Sequence, residues 1–351
     1  MRDTTAGERL QYLTARFMAR LPARVQVWLS REPPLVIDGL RYDPASQLLR
    51  ALRRRRTPYG LVEPSIAIGR KRFCRETHVF RGPVTEVGSA RDFEIPGPAG
   101  PLRVRHYAPP TSERTPLTVF LHGGGFVIGD LDSHDEPCRI VCRYAGVHVL
   151  SVDYRLAPEH PFPAAVDDAL AALAWAQAHA ESLGADPRRV AIGGDSAGAN
   201  LATVASRLAP HDAPPFAQLL IYPPTDGITK RASHGFFGEG FSLTLRDRKA
   251  FSVFYAGGTG IARDDPRVCP LYAPDLARLP PALVVTAGFD LLRDEGEAYA
   301  AALAKAGVRI RTRRVDSLGH GFIHMTGVAP AARQATIAIA RDWRALLDDC
   351  A

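Results

Sequence analysis

The chain has 351 residues, 46% of them hydrophobic, and its 44 basic and 37 acidic residues leave a net charge of +7. That length suits one large α/β domain with an accessory piece. No apolar run reaches the roughly 18 residues of a membrane-crossing helix, and five cysteines, an odd number without a secretory signal, argue against a disulfide framework.

Met1 to Thr5 lacks the apolar core of a signal peptide, which predicts a cytoplasmic protein. Ala6 to Leu29 follows as a helical run. Leu10, Leu13, Phe17, Met18, Leu21 and Val25 lie on one side, with Arg9, Arg16, Arg20 and Arg24 elsewhere. Such a basic amphipathic helix either packs on the body of the protein or, as the lesser alternative, lies on a membrane surface. Asp43 to Arg56 reads as a second helix. Its Arg53-Arg54-Arg55-Arg56 run, like Arg70-Lys71-Arg72, has no aromatic interleaving and no nucleic-acid motif beside it. Both runs therefore read as solvated surface, and no nucleic-acid partner is expected.

From about residue 90 the pattern alternates between strand and helix, the signature of a mostly parallel sheet covered on both faces. The strand-like runs are 102–107, 117–121, 147–152, 190–192, 218–222, 283–287 and 309–315. The helical runs are 133–145, 164–182, 197–208, 294–306 and 331–347. Cys138 and Cys142 stand one helical turn apart, but no C-x-x-C and no histidine set accompanies them, so buried thiols and no metal are expected.

Chemistry concentrates where four of these strands end. Gly194-Asp195-Ser196-Ala197-Gly198 joins a short apolar strand to a helix rich in Ala and Leu. A serine at such a turn is lifted clear of the backbone, with the free N–H groups of a helix N-terminus beside it. A serine hydroxyl is a poor nucleophile without a base, and the base needs an orienting acid. In chain order, Asp290 ends the strand-like run 283–287 and its extension. His320 lies between Gly319 and Gly321 after the last strand. The expected triad is Ser196, Asp290 and His320. Asp294 and Glu295 are rival acids inside the next helix, and His324 is the rival base. Upstream, His122-Gly123-Gly124-Gly125-Phe126 follows the strand 117–121. Three glycines let backbone N–H groups approach a ligand, and the N–H of Ala197 is the expected partner of that loop in an oxyanion hole.

Five motifs in this order make the chain resemble the hormone-sensitive-lipase-like esterases, bacterial family IV of the α/β hydrolases, over roughly residues 90 to 350. They are His122 to Phe126, Asp153-Tyr154-Arg155-Leu156-Ala157-Pro158-Glu159, Gly194 to Asn200, Asp290 with Arg293 to Gly296, and His320-Gly321-Phe322. The resemblance implies an α/β-hydrolase fold with a helical cap, formed by residues 1–90 and a second segment at about 225–261, over a catalytic domain at 91–351. It implies Ser196 as nucleophile, His320 as base and Asp290 as its orienting acid. Oxyanion donors would be Gly124, Gly125 and Ala197, with His122, Gly123 and the 153–159 segment supporting the loop. One departure stands out: the family's Asp-Pro-Leu is Asp290-Leu291-Leu292 here, and Leu291 is expected to occupy the same turn.

The implied activity is hydrolysis of small-molecule short- to medium-chain acyl esters through an acyl-enzyme, with no metal or organic cofactor. An amidase or lactonase would use the same triad. A non-hydrolysing hormone receptor on this fold would have lost the histidine or altered the loop. Phe236, Phe237, Phe241, Phe251 and Phe254 make the second cap segment a candidate acyl wall. Arg309 to Arg314 reads as a charged sheet edge, so pairing in a homodimer stays open.

Overall fold

The computed structural model describes residues 6–56 and 60–350. Met1 to Thr5, the basis of the leader reading, lies outside that range, as do the side chains of Arg9 and Arg56. Among the described residues no helix is long and apolar enough to cross a membrane.

The first expected helix is in fact two, α1 (Ala6–Arg20) and α2 (Ala23–Ser30). Pro22 sits between them with ψ of 143°. It has no N–H to give and disfavours helical geometry at Leu21, so the run breaks there. The apolar stripe of α1 faces outward: Leu10, Leu13 and Phe17 are 66%, 53% and 66% exposed, while Ala15 is buried. A small hairpin, β1 (Val36–Ile37) and β2 (Leu40–Arg41), precedes α3 (Pro44–Arg56). Next comes α4 (Ile66–Phe80), capped by the Ser65 hydroxyl, which accepts the Ile68 N–H. Its Arg70-Lys71-Arg72 run reads in sequence as a charged patch and hid this helix.

The body is an eight-stranded sheet. Its elements run β3 (Ser89–Gly97), β4 (Gly100–Ala108), β5 (Leu117–Leu121), α5 (Asp135–Ala145), β6 (His148–Val152), α6 (Ala164–His179), β7 (Val190–Asp195), α7 (Ala197–Leu208) and β8 (Gln218–Ile221). Two helices of the 225–261 segment follow, α8 (Ala232–Phe237) and α9 (Leu245–Ala256), then β9 (Ala282–Phe289), α10 (Arg293–Lys305), β10 (Ile310–Gly319) and α11 (Pro330–Asp349). The strand order is β10-β9-β8-β7-β5-β6-β4-β3. Only the β3–β4 and β4–β6 pairs are antiparallel. Strand β3 escaped the sequence reading because its residues are mostly exposed and polar, with little apolar alternation to find.

Alternate residues along the central strands feed two cores. Val119, Ile192, Leu220 and Val284 pack with α6 and α7, whereas Phe120, Ala191, Leu219 and Leu283 pack with α5 and α11. Every residue of β5, β6 and β7 is buried, as expected of strands covered on both faces. Strands β5 to β10 all run parallel, so the carboxyl ends of β5, β7, β9 and β10 share one edge. That edge carries the loops with His122, Ser196, Asp290 and His320. Strand β10 is the sheet edge anticipated from its arginines.

Candidate functional site

Ser196 joins β7 to α7 with φ of 51° and ψ of −120°, a conformation rare outside glycine. Its N–H donates to the Ile221 carbonyl at 2.8 Å. The turn needs glycine at both flanks. A Cβ on Gly194 or Gly198 would lie 2.2 or 1.9 Å from the Leu121 carbonyl oxygen. The two-residue spacing of the G-x-S-x-G pattern is therefore a close-approach requirement of β5 against the turn.

The three residues paired by the sequence order converge. His320 Nε2 lies 2.9 Å from Ser196 Oγ, and its Nδ1 lies 2.7 Å from Asp290 Oδ2. Asp290 is 1% exposed, and its other oxygen accepts the Leu292 N–H at 2.9 Å. Leu291 follows Asp290 in the turn, and its carbonyl accepts the Ser233 hydroxyl at 2.8 Å. The Tyr222 ring packs 4.5 Å from the His320 ring, and Ser242 Oγ donates to the His320 carbonyl at 2.6 Å. The rivals are occupied elsewhere. Asp294 pairs with Arg293, buried Glu295 pairs with Arg248, and His324 faces Asp195.

The 122–126 loop lies beside this group. Gly124 has φ of +122° and Gly125 φ of +62°. The N–H groups of Gly124, Gly125 and Ala197 donate to no group among the described residues, although all three residues line the same cavity as Ser196. His122 is fully buried, stacks on Tyr154 at 4.2 Å, and its carbonyl accepts the Tyr154 hydroxyl at 2.7 Å. The Ala157 N–H donates to the Phe126 carbonyl at 2.9 Å, and Arg70 of α4 donates to the carbonyls of Val127 and Ala157. The 153–159 segment and α4 thus clamp the loop from outside.

A residue that sequence reasoning passed over clamps it from inside. Asp195 Oδ1 accepts the Gly123 N–H at 2.8 Å and lies 3.1 Å from His134 Nε2, while Oδ2 accepts the Tyr222 hydroxyl at 3.2 Å. Burial pushes this carboxyl up. The charge and hydrogen bond of His134, the charge of His324 and the Gly123 N–H outweigh burial and hold it well below the usual range. His134, Asp195 and His324 bring ligand-type atoms within 4.8 Å of one another, but the Gly123 and Tyr222 hydrogen bonds already occupy the carboxylate. The signal for Asp195 was its place next to Ser196. For His134 and Tyr222 there was none. None of the five cysteines forms a disulfide, and burial raises the thiols of Cys138 and Cys142, the latter to about 12.

Ser196, His320, Gly124, Gly125 and Ala197 line a cavity of about 1050 Å³. Leu61 and Phe73, from the first 90 residues, and Phe251 and Tyr255 of α9 form apolar wall. Of the five phenylalanines in the 225–261 segment, only Phe251 lines the cavity. Phe237 and Phe241 pack instead against Phe289.

A family described as the α/β-hydrolase fold matches residues 118–324. The carboxylic ester hydrolase LipN of Mycobacterium tuberculosis is 46% identical over 313 residues, 87% of this chain and 83% of its own. The chain belongs to the hormone-sensitive-lipase-like, family IV branch of the α/β hydrolases. Esterase LipI of the same organism is 44% identical over 70% of this chain and 78% of its own length. Among solved structures, the ester-hydrolase EH1AB1 from the metagenome of Lake Arreo superposes with a TM-score of 0.81 at 37% identity, covering 87% of this chain and 98% of that one.

Proposed function

We propose that this carboxylic ester hydrolase is a serine carboxylesterase acting on short- to medium-chain acyl esters. The observation that carries the reading is one line of hydrogen bonds, Asp290 to His320 to Ser196, in an apolar cavity also lined by Gly124, Gly125 and Ala197, whose N–H groups have no partner among the described residues. His320 Nε2 takes the Ser196 proton as Oγ attacks the ester carbonyl. The oxyanion settles on the N–H groups of Gly124, Gly125 and Ala197. Asp290 holds Nδ1–H and stabilises the imidazolium. The imidazolium then protonates the leaving alcohol as the C–O bond breaks. His320 next takes a proton from water, whose oxygen attacks the acyl-enzyme. Returning that proton to Ser196 Oγ releases the acid and restores the serine.

In the same reading, residues 1–90 and about 225–261 act as a cap over a catalytic domain at 91–351. Leu61, Phe73, Phe251 and Tyr255 support it, because each comes from one of those segments and lines the cavity. The test is hydrolysis of p-nitrophenyl esters across acyl lengths, wild type beside Ser196→Ala. Activity highest on short and medium chains, and lowered by roughly four to six orders of magnitude in the variant, is the expected outcome. Retained activity in the variant overturns the serine mechanism, and a long-chain optimum overturns the substrate range.

A further inference from the structure

The charges that line the cavity are unbalanced. Its three carboxylates are neutralised inside the protein: Asp195 faces His134 at 3.1 Å, Asp226 faces Arg231 at 2.7 Å, and Glu295 faces Arg248 at 2.8 Å. Lys230, Lys249 and Arg263 line the same cavity, are exposed, and form no ion pair among the described residues. Exposed lining residues mark the mouth. Lysine is scarce here, with only Lys71, Lys230, Lys249 and Lys305 in the chain, and two of the four stand at this opening.

The mouth is also apolar where a water-facing rim would be polar. Ile228, Leu245 and Val253 line it while 51%, 42% and 57% exposed. Leu245, Lys249 and Val253 are spaced by four residues on α9, so cation and apolar groups share one outward stripe. A helix face of that kind suits the boundary between lipid headgroups and acyl chains.

We propose that the cavity mouth is a docking face for an anionic lipid bilayer. Ile228, Leu245 and Val253 enter the headgroup layer, Lys230, Lys249 and Arg263 meet the lipid phosphates, and the cavity opens onto the membrane. A second copy of the chain suits the face less well, because mouth-to-mouth pairing would bring six unpaired cations together. The outward stripe of α1, Leu10, Leu13 and Phe17, does not line the cavity and is the competing docking element.

The test is flotation of the full chain with vesicles of phosphatidylcholine alone or with about 30 mol% phosphatidylglycerol, at low and high salt. Expected are binding that needs the anionic lipid and weakens with salt, and a loss of about a hundredfold in K230E/K249E/R263E. Ile228→Asn with Val253→Asn weakens it further. Ser196→Ala binds like wild type, so a failure of the proposed reaction leaves this result standing. Equal binding to both vesicle types overturns the proposal. So does undiminished binding by a triple variant that melts like wild type, or loss of binding in L10N/L13N/F17N alone. Should the triple variant fail to fold, K249E by itself must lower binding severalfold. A dimer that the triple variant dissolves, with no vesicle binding, places a second copy on this face instead and also overturns it.

Discussion

Asp195 Oδ1 accepts the Gly123 N–H at 2.8 Å, so the residue preceding Ser196 anchors the loop whose next two residues line the cavity. The turn carrying the hydroxyl and the loop carrying the free donors are thereby one rigid unit. Asp195→Asn replaces one acceptor oxygen by a donor, leaving Gly123, His134 or Tyr222 without its partner. We expect kcat to fall by two to three orders of magnitude, about 3–4 kcal/mol, with KM changing little. Steady-state kinetics on a p-nitrophenyl ester decide it, and wild-type kcat would refute the anchoring role.

The glycines of the loop should not respond alike. A Cβ on Gly124 meets the Ile128 carbonyl oxygen at 2.0 Å, at a φ of +122° that side chains avoid. A Cβ on Gly125 meets the Phe251 ring at 2.2 Å, and its φ of +62° is left-handed but accessible. Backbone cannot yield as a side chain can. Gly124→Ala should therefore cost at least tenfold more kcat than Gly125→Ala, and equal losses would count against this geometry.

Acid should destabilise the protein through a buried pair of histidines. His106 Nε2 lies 3.0 Å from His148 Nδ1, with the rings stacked at 5.2 Å. Burial lowers His106 to about 3, with His148 adding to the effect, and burial lowers His148 to about 4. The unfolded chain takes up these protons near 6.5, and the folded one only below 4. Stability from this source is therefore complete above pH 6.5 and is lost as pH falls toward 4, by at most about 1.4 kcal/mol per pH unit per group. Thermal melts from pH 7.5 to 4 should show that slope, and it should be shallower in His148→Gln. An unchanged slope in the variant would exclude the pair as its source.

Asp153 works in the opposite sense. Burial raises it to about 6 against the pull of Arg103, 3.6 Å away. Its folded value lies above the unfolded one, so its charge costs stability above pH 6, and that cost fades between 6 and 3.8. Asp153→Asn should melt higher than wild type at pH 7.5, by at most about 3 kcal/mol, with the gap closing in acid. A lower melting temperature at pH 7.5 would mean that the Arg103 contact dominates.

The parallel sheet was legible because its strands, buried on both faces, are unbroken apolar runs such as Leu117 to Leu121. The turn at Ser196 and the glycine loop were legible because they need glycine at set positions. Strand β3 and helix α4 were not, since one is largely solvated and the other presents a run of cations. The break at Pro22 was written in the chain, but the apolar periodicity spanning it, Leu21 to Val25, masked it.

What the sequence determined by itself was the succession of a serine, an acid and a histidine at strand ends, and the backbone requirements around the first of them. Only the tertiary structure decided which histidine, His320 or His324, meets Ser196, which phenylalanine faces the cavity, and that Asp195 binds the loop. Those outcomes depend on distances between residues up to 124 positions apart. Local propensity carries no information about such distances, because strand order and loop packing set them.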